Sequence, residues 1–128
     1  MSTNDEIVEK LQTIVEQIKP DADIDIEQLR QIASDLENIR SQLQFERTDA
    51  RKNHKWREAD KLKDAEQECT QALDSVTSAI LRPILIGKNQ DNLQEMRKIL
   101  GEVKTAAKTQ ERIDFIIKSL SFLRRILT

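Results

Sequence analysis

The stretch LRQIASDLENIRSQLQFERTDARKNHKWREADKLKDAEQECTQALDSVTSAI, residues 29–80, decides the fold of this chain. Large apolar residues in its first half recur at alternating spacings of three and four: Leu29, Ile32, Leu36, Ile39 and Leu43. The second half repeats the pattern with several smaller residues: Ala59, Leu62, Ala65, Cys69, Ala72 or Leu73, Val76 and Ile80. Such a stripe is typical of a helix with one buried face. The stretch therefore predicts two long amphipathic helices.

A short polar segment joins the two predicted helices. It consists of Asn53, His54 and Lys55, and the apolar face restarts just after it at Trp56 and Ala59. The asparagine can adopt the left-handed backbone conformation that commonly ends a helix. Because two helices joined by so short a loop must run antiparallel, the stretch predicts a helical hairpin.

The hairpin also has a predicted register. Residues that face each other across a turn near residue 54 should have position numbers that add up to about 108. Leu43 then opposes Ala65, and Ile39 opposes Cys69. Large residues on one arm meet small ones on the other, which lets two helices pack closely without voids. One continuous helix through residue 54 is the alternative.

Composition favours a wholly helical fold. The 128 residues include 2 Gly, 2 Pro and no Tyr, and 34% of them are charged. No segment shows the alternation of a β-strand, and a chain of this length fits one domain with one core. We therefore predict an all-α fold, an antiparallel helical bundle of four to five helices built on the long central hairpin, as one domain over residues 1–128. The predicted helices span about 4–19, 25–53, 56–82, 92–107 and 109–127.

The predicted helix ends follow from capping and helix-breaking residues. Pro20 should end the first helix, because the residue before a proline is pushed out of the helical region. Asp25 is the predicted N-cap of the second helix, and Pro83 should end or kink the third. Asn92 is the predicted start of a capping arrangement. The apolar stripe weakens across residues 105–110, so a break near Thr109 is favoured over one long rod.

Charge is distributed unevenly along the chain. Residues 1–44 hold ten acids and four bases, whereas residues 92–128 hold four acids and eight bases. This asymmetry predicts that the acidic first third packs beside the basic last third within one bundle. A basic surface that faces a partner is the alternative.

Two features predict a cytoplasmic protein. No apolar run approaches the ~20 residues that cross a bilayer, and the amino terminus is too acidic for a signal peptide. Cys69 is the single cysteine, which excludes an internal disulfide. Its place on the apolar stripe predicts a small core residue rather than a reactive thiol.

The sequence lacks the residue sets of the common catalytic sites. With one His, one Cys and two Gly, it offers no nucleophile beside a base, no glycine-rich phosphate loop and no paired metal ligands. His54 and Glu58 lie one helical turn apart, but two ligands at an exposed position make a poor metal site. We therefore predict no enzyme activity, no cofactor and no metal.

Basic residues gather around the predicted hairpin tip, and an apolar connector follows the third helix. Residues 45–63 hold seven bases and four acids. The connector is either a core plug or a contact site for another chain. Together these segments give the candidate interaction residues Arg47, Arg51, Lys52, Lys55, Trp56, Arg57, Ile84, Leu85 and Ile86.

The tip sequence that runs from Ala50 through Asn53 to Leu62 resembles helical hairpins of several unrelated families, including the UVR motif of excision-repair proteins. Where that motif has Leu-Arg-Asp, this chain has Leu62, Lys63 and Asp64. The resemblance covers about fifteen residues and implies a hairpin, without a function.

These observations predict a non-catalytic protein–protein interaction or assembly module that pairs with a protein partner or with itself as a homo-oligomer. Nucleic-acid binding through residues 47–63 is the alternative. It is disfavoured by a pI near 5.5, because phosphate binding usually shows an overall basic excess. Membrane contact through residues 82–86 is also disfavoured, since one short apolar loop gives little anchoring.

Overall fold

In a computed structural model, the described residues are 3–18, 25–81, 90–103 and 109–127, with side chains described for 6–18, 25–81, 94–102 and 111–127. These residues form five helices and no strand: α1 (Thr3–Gln17), α2 (Ile26–Lys52), α3 (Trp56–Leu81), α4 (Gln90–Val103) and α5 (Thr109–Ile126). The predicted all-α bundle on a long central hairpin is confirmed. None of the described helices combines the length and apolar character needed to cross a membrane.

The helices pack in a defined order around the hairpin. The largest interface joins α2 to α3, and α5 packs on α3 while α4 packs on α5. α1 contacts α2, α4 and α5. Of the acidic first third, α1 therefore lies beside the two carboxyl-terminal helices, whereas the backbone of α2 packs on α3 and α1 among the described residues.

Side-chain contacts give the helix directions. The side-chain amide of Gln42 donates to the Glu6 carboxylate at 3.0 Å, and the side-chain amide of Gln28 donates to the backbone carbonyl of Gln17 at 3.2 Å. Glu6, near the start of α1, thus contacts a residue far along α2, whereas Gln17, at the end of α1, contacts a residue near the start of α2. The two helices are therefore antiparallel.

Two ion pairs join α5 to α3. Lys61 Nζ lies 2.7 Å from Asp114 Oδ2, and Arg124 Nε lies 3.3 Å from Glu68 Oε2. Residue numbers rise together along both helices, so α5 runs parallel to α3. All four side chains keep some contact with solvent, so the pairs guide alignment more than they stabilise the fold.

A Schellman motif closes α2 at the hairpin tip. The Lys55 N–H donates to the Ala50 carbonyl at 2.8 Å, and the His54 N–H donates to the Arg51 carbonyl at 3.1 Å. The left-handed residue is His54, with φ of 59°, whereas Asn53 has φ of −93°. The prediction that Asn53 takes this conformation is therefore wrong by one residue. The side-chain amide of Asn53 instead donates to the backbone carbonyl of Asp49 at 2.9 Å.

The observed register agrees with the predicted one. The Cys69 thiol donates to the Leu36 carbonyl at 3.2 Å, and Arg47 Nε lies 2.9 Å from Glu66 Oε2. Their position numbers add up to 105 and 113, on either side of the predicted value of about 108. Both arms are buried along the predicted stripes from Leu29 to Val76. The apolar interface between α2 and α3, here called the seam of the hairpin, thus packs large residues of α2 against mostly smaller residues of α3.

Several predicted helix ends shift in the structure. α1 ends at Gln17 rather than residue 19, and the Ile18 N–H turns back to the Val15 carbonyl at 3.2 Å. α4 begins at Gln90, which places Asn92 inside the helix rather than at its cap. Asp25 is confirmed as the N-cap of α2. The predicted connector at 83–87 and the stretch 104–107 lie outside the described residues.

Candidate interaction surfaces

The hairpin tip presents the predicted basic residues to solvent. Arg51, Lys52, Lys55 and Arg57 are all exposed. Trp56 is 57% exposed, which is high for so large an apolar side chain. Its ring lies 5.6 Å from the His54 ring, between centroids, at a tilt of 57°. The turn therefore holds an indole in solvent among cationic side chains.

Arg47 has a different environment from the other candidates. Its Nε lies 2.9 Å from Glu66 Oε2, and the Glu66 side chain is only 10% exposed. The contact is close enough for an ion pair, but its angle is poor for a hydrogen bond. Arg47 therefore neutralises an almost buried carboxylate and has a structural role. Ile84, Leu85 and Ile86 lie outside the described residues.

One face of the tip contains a perturbed carboxyl group. Burial and the nearby negative charges of Glu58 and Asp49 together raise the pKa of Glu46 to about 7, while the positive charge of Arg112 acts in the opposite direction. Glu46 is half-buried where α2 approaches the start of α5. Near neutral pH this site gains or loses a proton with small changes in conditions.

A groove lies between α4 and α5. Its volume is about 400 Å³. Ile99 from α4 and Phe115 and Phe122 from α5 contribute its apolar surface. Ile99 is 8% exposed, and both phenylalanines are half-buried against the core. The groove is therefore lined with apolar side chains that keep some contact with solvent.

The two walls of this groove carry opposite charge. The α4 wall presents Glu95, Lys98 and Glu102, and the α5 wall presents Lys118, Ser121 and Arg125. The charged wall residues are exposed. The result is a mainly acidic wall and a basic wall on either side of an aromatic floor.

Cations lie over both aromatic rings of the groove. Lys118 Nζ lies 5.8 Å from the Phe115 ring centroid, and Arg125 Cζ lies 5.2 Å from the Phe122 ring centroid. Each cation follows its phenylalanine by three residues, so one helical turn brings them together. The basic wall is therefore held over the aromatic floor.

This groove was not predicted from the sequence. Phe115 and Phe122 are seven residues apart, as are Lys118 and Arg125. A repeat of seven places each pair on one helical face, beside the stripe of isoleucines and leucines that faces the core. This repeat was the signal available in the sequence.

The described residues include no group of three or more His, Cys, Asp or Glu side chains placed to hold a metal ion. Cys69 is fully buried, and burial raises the pKa of its thiol to about 12. This cysteine packs in the core as predicted.

Comparison of the chain with protein-family models, with curated proteins and with solved structures gave no match.

Proposed function

We propose that this protein is a non-catalytic helical-bundle module that binds other proteins through its exposed helix faces. The observation that carries the proposal is the α4–α5 groove, whose aromatic floor is bordered by charged walls. Aromatic side chains with a polar rim are typical of protein interfaces. Grooves of this kind commonly receive an amphipathic helix. The proposal adds a cytoplasmic location, which rests on the sequence and is checked by imaging a tagged copy in the source cell.

Two surface changes test the binding role. Lys118→Glu reverses a charge on the groove wall, and Arg30→Glu makes the same change at an exposed site on α2. Tagged forms of the parent and both variants are used to capture proteins from an extract of the source cell. We expect a set of captured proteins that is lost with Lys118→Glu and retained with Arg30→Glu. Equal capture by both variants would rule out the groove as the binding surface.

Nucleic-acid binding through the hairpin tip is the second candidate. The exposed Trp56 among cationic side chains favours it, because bases of single strands stack on aromatic rings near basic residues. Four acids interleaved in residues 45–63 oppose it. An electrophoretic shift assay with single-stranded oligonucleotides at low salt tests this candidate. Retardation that Trp56→Ala and Lys55→Glu each weaken would support it, and no retardation at tens of micromolar protein would end it.

A further inference from the structure

We propose that the α4–α5 groove is the site where two copies of this chain associate, about a two-fold axis that runs along the groove. This inference rests on the proposed binding function and names the partner. It follows from the arrangement of charge on the two walls, which makes the groove complementary to itself.

Symmetry decides which walls meet in such a dimer. The most common homodimers are two-fold, and each subunit then offers the same surface. An axis along the groove places the α4 wall of each copy over the α5 wall of its partner. An axis across the groove would place acidic wall on acidic wall and basic wall on basic wall. Only the first arrangement brings opposite charges together, so the charges select it.

The spacing of the charges makes this pairing consistent along the groove. α4 and α5 pack on each other and are linked by only five residues, 104–108, so they run antiparallel. Glu102 therefore lies at the same end of the groove as Lys118, and Glu95 at the same end as Arg125. Both pairs of like charges are seven residues apart, or about 10 Å along a helix. If Glu102 of one copy lies opposite Lys118 of the other, Glu95 therefore lies opposite Arg125 as well.

The central residue of each wall fits the same register. Lys98 lies between the two acids of α4, where a like charge opposite would be unfavourable. On α5 the position between the two bases is Ser121. A serine hydroxyl accepts a hydrogen bond from an ammonium group. The one base on the acidic wall thus faces a neutral acceptor in the partner.

The aromatic floor gives the dimer its apolar contact. Phe115 and Phe122 of the two copies approach each other across the axis, and their exposed edges leave water. Nine residues line the groove, fewer than the roughly 20–30 per side of a standard interface. We therefore expect a weak dimer, with a Kd of tens to hundreds of micromolar.

Sedimentation velocity over about 5–1,000 µM protein tests the proposal, because this range spans the expected Kd. The parent should shift from monomer to dimer. Lys118→Glu and Glu102→Lys should each weaken the dimer at least about tenfold, since each turns an attraction into a repulsion. The double variant exchanges the two charges and should restore the Kd to within about threefold of the parent. Arg30→Glu, at an exposed site on α2 outside the groove lining, should leave it unchanged.

Circular dichroism melts of each variant confirm that a change in association is not a loss of folding. A parent that stays monomeric at about 1,000 µM, above the expected Kd, overturns the proposed dimer. Dimers that persist unchanged in both single variants overturn it as well, as does a double variant that fails to recover. Capture of a different protein that Lys118→Glu abolishes, with a monomeric parent, overturns the dimer but leaves the proposed binding function intact.

Discussion

The Cys69 thiol donates a hydrogen bond to the Leu36 carbonyl at 3.2 Å, across the interface of α2 and α3. The thiol therefore occupies the seam of the hairpin, where it reports on whether the two helices are closed. Burial raises its pKa to about 12, so almost no thiolate forms at pH 8. Since the thiolate is the reactive form, a closed hairpin should protect this cysteine.

We predict that iodoacetamide at pH 8 leaves Cys69 unmodified in the folded protein and labels it fully in urea. Mass spectrometry after timed quenching measures the labelling. A matched control carries Cys69→Ala with Thr70→Cys, which moves the thiol to an exposed position on the same helix. That control should react within minutes in the native state. Equal labelling rates in the two proteins would show that the seam is open.

The turn at His54 offers a stabilising substitution. His54 has φ of 59°, a left-handed conformation that costs a non-glycine residue roughly 1–2 kcal/mol. Glycine adopts it freely but loses more entropy on folding. We expect His54→Gly to raise the free energy of unfolding by about 0.5–1 kcal/mol, measured by urea denaturation. Lys52→Gly is the control, since residue 52 is an exposed helical position with no positive φ, and it should lower the free energy of unfolding by about 1 kcal/mol.

Glu46 should make stability depend on pH. Burial, with Glu58 and Asp49 nearby, raises its pKa from 4.5 to about 7. The folded state therefore keeps a proton that the unfolded chain has released, so this stabilisation is complete below pH 4.5 and is lost as pH rises through 7. Glu46→Gln keeps the neutral form at all pH values.

We expect Glu46→Gln to melt higher than the parent at pH 8 and close to it at pH 4.5. Partial exposure limits the gain at pH 8 to about 1 kcal/mol. Glu37→Gln, at an exposed site on the same helix, should show no such difference between the two pH values. A Glu46→Gln melting temperature that follows the parent across this range would contradict the burial of this carboxyl group.

Arg47 and Arg51 lie four residues apart on α2 but should respond differently to truncation. Arg47 pairs with Glu66, whose side chain is 10% exposed, whereas Arg51 is exposed. Arg47→Ala leaves a nearly buried carboxylate without its cation and should cost about 1–3 kcal/mol. Arg51→Ala should stay within about 0.5 kcal/mol. Urea denaturation of the two variants compares them, and equal costs would remove the structural role of Arg47.

The hairpin could be predicted from the sequence because its signals are local and repeated. Leu29 to Leu43 on one arm and Ala59 to Val76 on the other keep one helical period, and the polar turn between them is short. The position of the left-handed residue was harder to predict. Asn53 and His54 both tolerate that conformation, and the choice depends on which amide makes the last helical hydrogen bond.

The α4–α5 groove could not be predicted from the spacing of apolar residues alone. The stripe that includes Ile113 and Leu120 predicts the face of α5 that packs in the core. It does not predict which adjacent part of the α5 surface stays uncovered by α4. Phe115 and Phe122 lie beside that stripe, where packing of a second helix decides whether they are covered. The seven-residue repeat places both phenylalanines on one face of α5, but it does not specify whether a second helix covers that face.

The closed hairpin of α2 and α3 is the largest helix interface of the bundle, and a thermal melt of Ala65→Arg tests it directly. Ala65 is fully buried on the seam, so an arginine there places an unpaired charge among apolar side chains. We expect a loss of about 3 kcal/mol or more, which lowers the Tm by roughly 10 °C or leaves the protein unfolded. Ser78→Arg adds the same charge at an exposed site on α3 and should melt within a few degrees of the parent. If Ala65→Arg melts like Ser78→Arg, the two helices do not face each other in this register.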